Sequence, residues 1–208
     1  MRIFFSPASP YVRKVMAVAI ELGLDGRIEK LPSAVSPVMR DDTVARLNPL
    51  GKVPTLITDD GEALYDSRVI CEYLAALAGD GRILPPAGPA RWRALTEQAM
   101  ADGMLDAALL TRYERMLRPA ERQWDDWEQG QLAKVEAGLA EIEARAPSFG
   151  DRVDLGTIAI VCALSYLDFR FAHLDWRVRA PRAAAWHAVL DARPSLAATR
   201  PVDPNKPK

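Results

Sequence analysis

The apolar positions of the first eighty residues change period several times. Arg2 to Phe5 is a short β-prone run, and Val12, Val15, Met16, Ala19 and Leu22 then recur at helical spacing, predicting a helix over Tyr11 to Leu22 that Gly23 stops. Ile28 to Leu31 reads as a second strand, followed by an irregular stretch rich in Pro and Ser and a short helix near Asp42 to Leu47. Val53 to Ile57 and Ala63 to Tyr65 are β-prone runs separated by Thr58-Asp59-Asp60-Gly61-Glu62, whose Asp-Gly pair predicts a hairpin of antiparallel neighbours. From Ser67 the helical period returns, with Val69, Ile70, Tyr73, Leu74 and Leu77 on one face and Gly79 and Gly81 at its end. The order βαβα then ββα implies a sheet with helices packed on it.

After Pro89 the pattern is helical throughout. Arg91 to Met116 carries Trp92, Leu95, Ala99, Leu105, Leu109 and Met116 on approximately one side, and Pro119 interrupts it. Trp127 to Arg145 spaces Leu132, Val135, Leu139 and Ile142 three and four apart, as a packed helix hairpin requires. Leu155 to Phe171 is apolar almost all round, the mark of a helix enclosed by others. Pro181 and Pro194 stand where two further short helices would open. The expected organisation is an α/β domain over residues 1–79, a Pro/Gly-rich linker over 80–88 and an all-helical domain over 89–208.

Composition narrows the function classes. Of 208 residues, 49% are hydrophobic and 26% charged, the balance of a folded chain rather than a disordered one. The net charge is −1 and basic residues are scattered among acids, which argues against a nucleic-acid partner. The N-terminus is too short in apolar residues for a signal peptide, and the longest apolar run, around Ile158 to Leu167, is too short to span a bilayer, so no membrane is expected and the cytoplasm is the default location. Cys71 and Cys162 lie among apolar neighbours and read as reduced core residues. With only His173 and His187 besides them, no metal site is expected.

Three stretches carry chemistry. Asn48-Pro49-Leu50-Gly51-Lys52-Val53-Pro54-Thr55-Leu56 puts a proline at the mouth of a β-prone run, where it removes a ladder donor. It reads either as an edge-strand proline or as a cis turn that aims the backbone of Val53 outward to pair with a peptide ligand. In Tyr65-Asp66-Ser67-Arg68, Asp and Ser precede a helical run. They form an ordinary N-cap, or a helix start whose N–H groups and Ser67 hydroxyl grip a carboxylate while Asp66 pairs with an ammonium. In Ser6-Pro7-Ala8-Ser9-Pro10-Tyr11, Ser9 is a helix cap, or a hydroxyl that stabilises a thiolate beside the helix start.

Together, in this order, these stretches resemble the glutathione S-transferase superfamily, over essentially the whole chain. The resemblance implies an α/β thioredoxin-like N-terminal domain plus an all-α C-terminal helical bundle, with glutathione as co-substrate and no metal. It makes Val53-Pro54 the cis-proline turn for the cysteinyl backbone of glutathione, assigns Asp66 and Ser67 to the γ-glutamyl group and turns Ser9 to the sulfur. Lys52 would meet a carboxylate, and Arg40 is a further candidate for the glycyl end. Ala101 to Ala107 looks like the family's fourth helix and Asp154 to Ala159 like the start of its sixth, although the usual Ser/Thr and Asp of that cap are reversed here as Asp154 and Thr157. Phe4 and Phe5 occupy the strand where tyrosine-type enzymes carry their catalytic hydroxyl and position 9 is not cysteine, which leaves Ser9 as the catalytic candidate, with Tyr11 in reserve; the whole-chain pattern most resembles a bacterial subgroup of the family.

The implied activity is attack of the glutathione thiolate on a small electrophile, in a pocket with Met104, Ala108 and Tyr113. Two alternatives stand beside it: a glutathione-binding regulatory protein with little turnover, and a glutathione-dependent disulfide or peroxide reductase, which ordinarily wants a cysteine at position 9. A homodimer is expected, each N-terminal domain resting on the partner's helical domain, with Trp92 and Met100 in the interface. Asp102 would be a solvated helix acid or would approach the glutamyl ammonium held by the opposite subunit.

Overall fold

The computed structural model describes residues 1–203, so the last five positions of the expected helical domain, 204–208, lie outside the described residues. A four-stranded sheet forms from β1 (Arg2–Phe5), β2 (Glu29–Pro32), β3 (Thr55–Ile57) and β4 (Ala63–Leu64), in the order β2-β1-β3-β4. β1 runs parallel to β2 and antiparallel to β3, and β3 runs antiparallel to β4, as the Asp-Gly hairpin requires. Between the strands stand α1 (Pro10–Glu21) and α2 (Asp42–Ala45), and α3 (Ser67–Ala78) follows β4. α3 ends on Gly79, whose φ of 65° places it in the left-handed region that only glycine adopts cheaply.

The helical half comprises α4 (Gly88–Leu117), α5 (Asp125–Phe149), α6 (Leu155–Arg170), α7 (Trp176–Arg179), α8 (Pro181–Asp191) and α9 (Pro194–Ala197). α6 is enclosed as expected, with every residue from Leu155 to Leu167 buried. Its reversed cap works reciprocally: the Thr157 N–H donates to Asp154 Oδ1 and the Asp154 N–H donates to Thr157 Oγ1, both at 3.0 Å. α5 continues through Pro147, beyond the expected end at Arg145, and sets Phe149 against Trp186 with ring centroids 4.8 Å apart. α7, four residues long, carries no periodic signal in the sequence.

The buried side of α4 differs from the side its large apolar residues suggest. Trp92 and Met116 are 65% and 60% exposed, and Ala99 also faces out. The inward positions include Ala94, Glu97, Gln98, Ala101, Leu105 and Ala108. Small residues win here because α4 and α6 approach closely: a Cβ on Gly156 would stand 2.9 Å from the Ala94 carbonyl oxygen.

One hydrophobic core runs through both halves, with α1 packed against α3 on one side and α6 on the other. Segment 80–88 is anchored in it, because Ile83 and Leu84 are buried and the Ile83 carbonyl accepts from Leu155 N–H at 2.8 Å. A small satellite cluster of Phe4, Val44 and Ile57 lies on the α2 side of the sheet.

Candidate functional site

The strand register gathers the three chemistry-bearing stretches at one end of the sheet. Phe4 is level with Thr55, and Leu56 is level with Leu64. Continuing both ladders by their next positions sets Pro54 beside Phe5 on one side and Asp66 on the other. The turn after β1, closed by the Ser9 N–H on the Ser6 carbonyl at 3.1 Å, therefore leaves from the end of the sheet at which α3 starts.

The Val53-Pro54 bond is cis, and the β1–β3 ladder ends at Thr55, so Val53 lies beyond it. Buried Asn48 shapes this turn: its side-chain amide donates to Thr55 Oγ1 at 2.9 Å and to the Lys52 carbonyl at 3.2 Å. Lys52 is exposed, and the Arg40 side chain lies over Gly51 while donating to the Pro49 carbonyl at 3.4 Å. The two basic candidates thus flank one turn.

Asp66 caps α3 by accepting from Arg68 N–H through Oδ1 at 2.9 Å, and Ser67 opens the helix at 2% exposure. Ser9 caps α1, its Oγ accepting from Val12 N–H at 3.3 Å. A hydroxyl that accepts in this way keeps its own proton as a donor. Tyr11 is differently engaged. Its hydroxyl donates to the Asp106 carboxylate, and burial together with that bond holds its pKa far above the usual phenol range.

Asp102 is neither a solvated acid nor free to reach a ligand. It is 1% exposed, with Lys14 Nζ at 2.7 and 2.8 Å from its two oxygens and Arg68 Nε at 2.9 Å from Oδ2. A buried carboxylate needs such partners to replace its hydration, and these come from α1 and from the first turn of α3. It joins the two helices whose starts carry Ser9, Asp66 and Ser67. Sequence periodicity hides this clamp, because Lys14 and Arg68 belong to segments far apart along the chain; the Arg13-Lys14 pair inside a largely apolar helix is the available signal.

Of the three expected pocket residues, Met104 and Ala108 are 4% and 1% exposed. Met104 packs so closely on α5 that a Cβ at Gly138 would collide with it. These two stand within the helix interface, and only Tyr113 retains accessible surface. Cys71 and Cys162 are buried as expected, burial pushing their thiols up to about 12 and about 11.

Comparison with known proteins agrees with this geometry. Residues 8–77 match the family described as Glutathione S-transferase, N-terminal domain, and residues 98–188 match Glutathione S-transferase, C-terminal domain. The Uncharacterized GST-like protein YibF of Escherichia coli K12 is 36% identical, the match covering 97% of this chain and 98% of the relative. A glutathione transferase family member from Pseudomonas fluorescens Pf-5, solved with bound glutathione, is 45% identical with a TM-score of 0.94, covering 97% of this chain and 99% of that one. A glutathione S-transferase from Methylobacillus flagellatus KT, solved with glutathione bound, is 37% identical with a TM-score of 0.85, over 97% and 99% of the two chains. With both halves matched, the fold shared along its whole length and the three motifs meeting at one sheet end, the chain belongs to the glutathione S-transferase superfamily.

Proposed function

We propose that this protein is a glutathione transferase that holds glutathione across the cis-proline end of its sheet and stabilises the thiolate for attack on a small electrophile. Residues 1–79 form the glutathione-binding domain and the described residues from 89 onward the helical domain, joined by 80–88. The observation that carries the reading is the meeting of the Ser9 turn, Val53-Pro54 and Asp66-Ser67 at one end of the sheet. The Val53 backbone, outside the ladder, pairs with the cysteinyl backbone as an added strand would. The α3 start and the Ser67 hydroxyl receive the γ-glutamyl carboxylate, and Asp66 takes the ammonium with the oxygen not used for capping. Lys52 and Arg40 face the glycyl carboxylate.

Ser9 donates its remaining proton to the sulfur, and the positive end of α1 adds to the effect, so the thiol ionises at lower pH. The thiol proton goes to solvent, the sulfur electron pair forms the new S–C bond, and the electrophile loses its leaving group or takes up a proton after addition. Tyr11, committed to Asp106, supports the scaffold instead. Tyr113 lines the electrophile pocket, with Met104 and Ala108 behind it. Glutathione-dependent reduction fits less well, since both cysteines are buried with raised thiol pKa values.

The protein acts as a cytoplasmic homodimer in this reading. Trp92, left 65% exposed on α4, supports a partner there, and sedimentation equilibrium should return twice the 22.9 kDa chain mass. The direct test of the site is glutathione titration calorimetry on Ser67→Ala, which loses a charge-assisted hydrogen bond of about 1.5–3 kcal/mol and so should bind at least roughly tenfold more weakly. Unchanged affinity in a folded variant would overturn the assignment.

A further inference from the structure

On the flank of β1 opposite the cis turn lies a small hollow. The sheet order places β2, with Lys30, on the far side of β1 from β3. There a cavity of about 150 Å³ opens between the end of β1, one face of α1, Lys30 and the segment following α9. The Val202 N–H donates to the Pro7 carbonyl at 3.1 Å and holds that segment against the β1–α1 turn. None of the residues assigned to glutathione lines this cavity.

Its wall carries three cations, Arg13, Lys30 and Arg200, and no acid among the described residues. Behind them a single carboxylate, Asp191, is shared by Arg13 at 2.6 Å and Arg200 at 2.9 Å. Arg13 is only 3% exposed, and although its Nη2 donates to Asp191 and to the Leu196 carbonyl, its Nε and Nη1 are buried with no acceptor among the described residues. Like charges around one hollow repel, and an anion held between the three cations relieves that repulsion. The rest of the wall includes the apolar side chains of Phe5 and Met16, and the Lys30 ammonium sits 5.1 Å from the Phe5 ring centroid.

We propose that this cavity binds a small amphipathic carboxylate, with its anionic head toward Arg13, Lys30 and Arg200 and its hydrocarbon body against Phe5 and Met16. The volume is well below that of a drug-sized pocket, so the ligand is a short aliphatic or monocyclic aromatic acid. This site stands independently of the glutathione reading.

The probe is benzoate, with neutral benzamide as the control, titrated by calorimetry into the full chain with and without saturating glutathione. Arg13→Gln endangers folding because it strands Asp191, so the variants are Lys30→Gln and Arg200→Gln, both on exposed side chains. Benzoate should bind in both conditions and benzamide roughly tenfold more weakly, and each variant should weaken benzoate by roughly tenfold while leaving glutathione affinity unchanged. Failure of benzoate to bind, equal binding of benzamide, or indifference to both substitutions overturns the proposal. Displacement of benzoate by glutathione also overturns it, by assigning the binding to the other site.

Discussion

Glu97 and Asp102 sit little more than one turn apart on α4, both buried, and each is held by two cations. They do different jobs. Glu97 receives Arg145 of α5 at 2.5 Å and Arg152 at 2.7 Å, and Arg152 also reaches the α6 cap residue Asp154, so this cluster ties the helical half to itself. Asp102 reaches out of the helical half, to Lys14 of α1 and Arg68 of α3. Both carboxylates are tolerated for the same reason, the replacement of lost hydration by cations. The direction from which those cations come decides whether the carboxylate ties the helical half to itself or joins it to the starts of α1 and α3.

The largest expected effect separates the two. Glu97→Ala leaves Arg145 and Arg152 without their shared acceptor and should cost about 3–5 kcal/mol in denaturant unfolding, with glutathione affinity of the folded fraction unchanged. Asp102→Ala should cost a similar amount and in addition weaken glutathione about tenfold, since the α1 and α3 starts lose their common anchor. Equal effects on affinity from both variants would erase the distinction.

A second contrast lies in the buried network between α6 and α8. Arg177 Nη2 lies 3.3 Å from His187 Nδ1 and can only donate, which makes Nδ1 the acceptor; Nε2 then carries the proton and donates to Ser165 Oγ at 2.9 Å. Burial pushes the His187 pKa down to about 4, against a nearby carboxylate, Asp191, that acts the other way. The unfolded chain, with an ordinary histidine near about 6.5, binds the proton first. Stability from this group is therefore complete above about pH 6.5 and lost as pH falls toward about 4, a loss on the order of 3 kcal/mol. Thermal unfolding across that range should show the slope, and His187→Gln should flatten it. A glutathione site built from caps and exposed cations should change little over the same interval.

The smallest effect on stability belongs to Ser9. Ser9→Ala removes the α1 cap, worth about 1 kcal/mol, yet it should lower turnover roughly tenfold and move the pH–rate profile to higher pH, because the thiol loses a donor to its ionised form. Glutathione affinity should barely change. Tyr11→Phe should leave the profile in place; a shift there instead would return the role to Tyr11.

Much of the fold is legible from local pattern. β-prone runs and helical spacing, with Gly23, Gly61 and Gly79 as punctuation, locate the strands and helices to within a residue or two in the sheet-bearing half, since these signals act between neighbours along the chain. The capping residues Ser9, Asp66 and Asp154 are legible for the same reason: a side chain preceding a helix meets N–H groups only two or three residues on.

The helical half was read less well, and α4 shows why. Size and hydrophobicity mark one apolar side of α4 that includes Leu109 and Met116, whereas close approach to α6 selects alanines for its buried face, leaves Met116 outside, and leaves Trp92 exposed where a partner is expected. Sequence periodicity determined that α4 is a helix; which face it buries depended on the shape of its neighbour. The same holds for charge. Lys14, Arg68 and Asp102 appear along the chain as separate ionisable residues, and only the packing of α1, α3 and α4 turns them into one buried clamp, because desolvation and Coulomb attraction depend on distance in space rather than on separation in sequence.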